Sequence, residues 1–163
     1  MPRSTLAGLA ALVALVSACR PNTTRPYFPP VTGAPQIEIE LGVREATQAL
    51  ADVLRSDTIP VARVEPRDGF LQSAWFRVQT RKATSARRLG PDVVQIRAWV
   101  DPSRPGWSRM TVETVYRPLA DPSLSPRDLD RQVPPDHPVG KRVEQIITEL
   151  ARLYEPDSTA AGN

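Results

Sequence analysis

The chain has 163 residues, enough for one domain with a modest core and too few for two well-buried ones. Its 21 Lys and Arg against 18 Asp and Glu give a net charge of +3, too small a surplus to indicate nucleic acid as a partner, and a single cysteine excludes a disulfide within the chain. Nineteen of the 21 cations are arginine, a bias that a GC-rich genome explains before phosphate or carboxylate recognition is invoked.

The first residues read as an export signal. Arg3 supplies a positive start, Leu6 to Val16 form an apolar run, and Ser17 and Ala18 are the small residues a signal peptidase requires. At ~1.5 Å per helical residue the run reaches about 16 Å, too little for a hydrocarbon core of about 30 Å. The stretch Leu15-Val16-Ser17-Ala18-Cys19 resembles the lipobox of bacterial lipoprotein precursors, with an apolar residue three places before the cysteine and small residues between. The resemblance implies that Cys19 takes a thioether-linked diacylglycerol, that the chain is cut between Ala18 and Cys19, and that the new amino terminus is often acylated as well. An aspartate after that cysteine favours inner-membrane retention in the family. Arg20 stands there instead, which implies an outer-membrane anchor facing the periplasm. The alternative is an ordinary secretory signal with an incidental cysteine.

Residues 19–35 are rich in Pro and Thr, and Pro21, Pro26, Pro29, Pro30 and Pro35 exclude helix and central strand. They read as a tether which, in polyproline II form at ~3.1 Å per residue, holds a domain up to about 50 Å from the bilayer. Tyr27 and Phe28 within it serve either as an interfacial or docking segment or pack on the domain edge. The folded part spans 36–156. It opens with the alternation of Ile37, Ile39 and Leu41 against Glu38 and Glu40, a half-buried strand. Val43, Ala46, Thr47, Leu50, Val53 and Leu54 then recur at helical spacing through Ser56.

Three or four strands follow as a meander: Val61 to Glu65, a turn through Pro66-Arg67-Asp68-Gly69, Phe70 to Thr80, Val93 to Asp101 and Arg109 to Arg117. Period-two counting puts Phe76, Val78, Val94, Ile96, Ala98, Val100, Met110, Val112 and Tyr116 on the face that helices cover. The other face carries Leu71, Trp75, Arg77, Arg97, Trp99, Glu113, Val115 and Arg117. A symmetric hairpin through residues 81–92 sets Trp75 opposite Trp99 and Arg77 opposite Arg97. A turn at 102–108 sets Glu113 beside Arg97 and Thr111 beside Trp99.

The region 119–137 reads as a long crossover, with Ser125-Pro126 opening a short helix through Gln132. Pro138 opens the last helix, whose apolar stripe is Val139, Val143, Ile146, Ile147, Leu150, Leu153 and Tyr154. Residues 157–163 form a polar tail. The order strand, helix, strands, helix predicts an α+β domain: an antiparallel sheet of four to five strands with two helices on one face. In layout and in its lipobox the chain resembles the helix-grip domains of the C component of the outer-membrane β-barrel assembly machine. That resemblance transfers architecture and address and no functional residue.

The sequence offers little for catalysis. It contains no G-x-S-x-G, H-E-x-x-H, phosphate-loop or Rossmann pattern. Its one histidine, His137, reads as an exposed ring beside a helix-capping Asp136, so that its removal would cost less than ~0.5 kcal/mol. Asp121, Asp128, Asp130 and Asp136 read as a solvated loop and not as a calcium site, since their spacing is not that of an EF-hand. The basic run Arg81, Lys82, Arg87 and Arg88 lacks interleaved aromatics and reads as a solubilising loop, with anionic head groups as the alternative partner. No metal and no cofactor is expected. The candidate partner surface is the second sheet face, with Trp75, Trp99, Arg77, Arg97 and Glu113 at its centre, unless the crossover or the tether folds over it. These features suggest a non-enzymatic binding or assembly module with an envelope protein as partner. A small-ligand or lipid carrier is the second possibility and a small enzyme the third.

Overall fold

A computed structural model describes residues 23–87 and 89–155. The lipobox, Cys19, Arg88 and the tail lie outside the described residues. The elements in chain order are β1 (Gln36–Ile39), α1 (Val43–Ser56), β2 (Val61–Glu65), β3 (Phe70–Ser73), β4 (Phe76–Arg77), β5 (Val93–Pro102), β6 (Ser108–Tyr116), α2 (Pro126–Leu129), β7 (Arg131–Gln132) and α3 (Pro138–Leu153). The fold is α+β, with α1 and α3 on one face of an antiparallel sheet. The sheet has seven strands, two or three more than the sequence suggests, in the order β1-β6-β5-β3-β2. The short β4 and β7 add to β5 and β6. Both are two residues long, below the length at which alternation can be counted.

Helix α1 buries Ala46, Thr47, Leu50, Ala51 and Leu54, and the Thr47 hydroxyl satisfies itself on the Val43 carbonyl at 2.7 Å. Helix α3 buries Val139, Val143, Ile146, Ile147 and Leu150. With Leu71, Phe76, Val94, Ile96, Ala98, Val100, Met110 and Val112 from the strands, these two stripes close the main core. The turn before β3 requires its glycine. Gly69 has φ +62, a Cβ there would stand 2.1 Å from the Val100 carbonyl oxygen, and the Gly69 carbonyl accepts the Val100 amide at 2.8 Å.

The long segment expected as one strand from Phe70 to Thr80 is broken. After Ser73 the ladder gives way: the Ser73 hydroxyl accepts the Ile96 amide at 2.9 Å, and the Ala74 amide turns to the Pro60 carbonyl at 2.8 Å. Strand β3 therefore pairs as Phe70↔Trp99, Leu71↔Ala98 and Gln72↔Arg97, while β4 pairs as Phe76↔Val94 and Arg77↔Val93. The break puts Leu71 on the helix face instead of the second face.

Candidate functional site

The second face of the sheet is where charge collects. Strands β5 and β6 set Arg97 opposite Glu113 and Trp99 opposite Thr111, the register expected of their short turn. Arg97 contacts the Glu113 carboxylate through Nε, whose N–H is not aimed at that oxygen, so this contact is an ion pair and not a hydrogen bond. Its Nη2 donates to Asp130 Oδ2 at 2.7 Å. Arg117 Nε donates to Asp130 Oδ1 at 2.8 Å, and Arg127 Nη1 donates to Glu113 Oε1 at 2.9 Å. Glu113 and Asp130 side chains are 0 % exposed and that of Arg97 is 6 %. Three guanidinium groups and two carboxylates thus share one buried site, each carboxylate held by at least two cations. Isolating any one of these charges by removing its partners is costly, about 3–5 kcal/mol.

Residues 23–35 close the site from outside. The Thr24 amide and hydroxyl both donate to Asp68 Oδ2, at 2.7 and 2.6 Å. Hydrogen bonds to Thr24 hold the Asp68 carboxyl below its ordinary value of 3.8. Arg25 grips Asp101 with both nitrogens at 2.7 and 3.1 Å, and Arg63 donates to the Thr24 carbonyl. Phe28 then inserts its ring beneath two guanidinium groups, 4.6 Å from Arg127 and 5.5 Å from Arg97, and meets Trp99 edge-on at 6.1 Å. The Val31 amide donates to Glu113 Oε2 at 2.7 Å, and the Pro29 carbonyl accepts Arg127 at 2.6 Å. This strap enters β1 by the Pro35 carbonyl, which accepts the Val112 amide.

The five residues expected to form a partner surface therefore divide. Trp99 is 1 % exposed, Trp75 8 %, Arg97 5 % and Glu113 0 %, so all four are interior to the strap and the crossover. Trp75 and Trp99 do share the second face, but they are not opposite each other: Phe70 faces Trp99 and Gln72 faces Arg97. Trp75 packs instead with Val93 and Val115, under Arg117 at 4.7 Å. No aromatic step forms, because the break after Ser73 shifts the register that a symmetric hairpin would impose. Arg77, the last residue of β4, is exposed near Gln79, Thr80, Leu89 and Asp92 and takes no part in the cluster. The expected tether also shortens, since residues 23–35 lie on the sheet and supply no reach.

Other sequence readings change with the structure. His137 is not an exposed ring; it is buried and is itself the N-cap of α3, its Nδ1 accepting the Gly140 amide at 3.4 Å and its Nε2 lying 2.9 Å from the Pro91 carbonyl. Asp136, expected as that cap, is exposed. The short helix in the crossover begins as expected, with Ser125 capping the Asp128 amide, but ends at Leu129 instead of Gln132 because Arg131 and Gln132 pair with β6. The four acidic residues of this region separate: Asp121 accepts from Ser123, which lowers its pKa, Asp128 bonds Ser125, Asp130 is buried and Asp136 faces solvent. Among the described residues no group of three His, Cys, Asp or Glu is placed to hold a metal. In the basic run, Arg81 turns back toward Asp57 at 3.9 Å and lies over Phe76, while Lys82 and Arg87 are exposed.

Comparison with protein-family models gives no match, and comparison with curated proteins gives none either.

Proposed function

We propose that this is a lipid-anchored cell-envelope protein, held through Cys19 at the periplasmic face of the outer membrane and acting there as a non-enzymatic binding or assembly module. The observation that carries the anchor is the position of the chain's single cysteine directly after Val16-Ser17-Ala18, behind a short apolar run. Among the described residues no helix is long and apolar enough to cross a membrane. The module reading rests on a site whose strongest side chains are spent on holding the chain's own strap, which makes a rigid body close to its anchor. A carrier would need a cavity between helices and sheet. Leu50, Leu54, Ile96, Val112 and Ile146 fill that space and are fully buried. A groove of about 700 Å³ lies outside it, between α1, the β2–β3 turn and Tyr154, and a niche of only about 100 Å³ lies between α3 and Thr114 and Gln132.

Cys19→Ser tests the anchor. Acyl chains at ~0.8 kcal/mol per buried methylene supply an attachment that the polar mature chain lacks. The serine variant should remain uncleaved or soluble, and globomycin should block processing of the wild type. Processing of the variant and partition into detergent like the wild type would refute the lipobox. Cross-linking from envelope extracts tests the module, which requires a partner that Cys19→Ser fails to recover.

A further inference from the structure

We infer that the sheet end carrying Tyr27 and the β5–β6 hairpin tip lies on the bilayer and makes a second, noncovalent contact with lipid head groups. This rests on the proposed anchor at Cys19. The strap is pinned at its very start, by Thr24 on Asp68 and Arg25 on Asp101. Only four residue steps separate Cys19 from Thr23, and at ~3.6 Å each a fully extended chain spans about 14 Å. A lipid on Cys19 thus fixes which end of the domain meets the membrane. That end holds aromatics suited to an interface. Tyr27, two residues past Arg25, is fully exposed while its neighbour Phe28 is turned inward. Trp107 stands in the hairpin beyond the Pro102↔Ser108 pair, partly exposed, with Arg104 stacked 3.8 Å from its ring centre. Tyr and Trp are the side chains that settle at head-group depth.

The charges nearby favour an anionic surface by a small margin. Asp68 and Asp101 are occupied by the strap, Glu65 by Arg63, and Glu38 by Ser103 and Arg109. Arg44, Arg67 and Arg104 have no carboxylate within 4 Å among the described residues, and the exposed Glu40 and Glu45 offset two of them. The contact is therefore aromatic first and electrostatic second.

The chain's tryptophans provide the measurement, because Trp75 and Trp99 are buried and Trp107 is the third of three. Lipidated protein reconstituted on vesicles of phosphatidylcholine and phosphatidylglycerol with brominated acyl chains should lose Trp107 emission. Trp107→Phe should abolish that quenching while the protein stays vesicle-bound. In the unlipidated Cys19→Ser chain freed of residues 1–18, whose apolar run would itself enter the bilayer, Tyr27→Ala should weaken residual binding to the same vesicles. Arg67→Gln and Arg104→Gln should weaken it about fivefold each, the factor that corresponds to ~1 kcal/mol per charge. Thermal melts of each variant check that the domain is intact. A vesicle-bound, lipidated wild type whose emission matches that without vesicles overturns the second contact and leaves the anchor standing. A mature mass without diacylglycerol on Cys19 removes the anchor, and the contact with it.

Discussion

On the helix side of the sheet, Leu50, Ile96, Val112 and Ile146 meet as aliphatic surfaces with no directional demand. On the strap side, Arg97, Arg127, Glu113 and Asp130 meet through oriented bonds around Phe28 and Trp99. The same two strands, β5 and β6, serve both faces with alternate residues. An aliphatic face loses stability in proportion to the atoms removed, whereas a buried charge cluster fails sharply when one member goes, since the others are left desolvated and unmatched. One sheet therefore joins a tolerant core to an exacting one.

The sharpest way to break that contrast is Glu113→Ala, which strips partners from Arg97, Arg127 and the Val31 amide at once. It should cost about 3–5 kcal/mol in urea unfolding, whereas Ile146→Val on the opposite face should cost only ~0.5–1.5 kcal/mol. Equal losses would show that the two faces respond alike. Phe28→Ala comes next, at about 2 kcal/mol for a half-buried ring. It should make residues 23–35 sensitive to protease while the helical circular dichroism persists, and unchanged protection would mean that Phe28 does not hold the strap. His137→Ala should cost about 1 kcal/mol through loss of the α3 cap, and His137→Asn should restore most of it; a neutral alanine would argue against the cap. The smallest effect concerns Asp68. Its folded pKa lies below 3.8, so its hold on Thr24 is present above that value and is lost as pH falls through the depressed one. The Thr24 amide resonance should move over that acid range and should not move in Asp68→Asn.

Where the sequence spoke in long periods it could be read. Fourteen residues of α1 and the ten and nine of β5 and β6 repeat often enough to fix their faces, and the β5–β6 register followed from their brief turn. The β3–β4 region could not be read in this way, because a single hydroxyl, Ser73 Oγ, takes the place of a ladder carbonyl and period-two counting has no sign for that. The site was half legible. Arg97 and Glu113 stand at cross-strand positions and invite pairing, whereas Asp130, Arg127 and Phe28 arrive from a crossover and a proline-rich stretch with no periodicity. The one available hint was the imbalance of Arg77, Arg97 and Arg117 against Glu113 alone on a face that the sequence left either open to a partner or covered by the crossover or the tether. A second carboxylate had to come from somewhere, and Asp130 supplies it.

The strap also constrains the order of events as the protein is made. Its bonds join Thr24 to Asp68, Arg25 to Asp101, Val31 to Glu113 and Pro29 to Arg127, sequence separations of 44, 76, 82 and 98 residues. Contacts that distant form late, after loops of that length have closed. On the proposed export route, residues 23–35 have little to clasp until Glu113 and Arg127 have followed them through. The modification proposed at Cys19 would thus come before the strap closes, and residues 23–35 settle on the sheet only once the crossover is delivered.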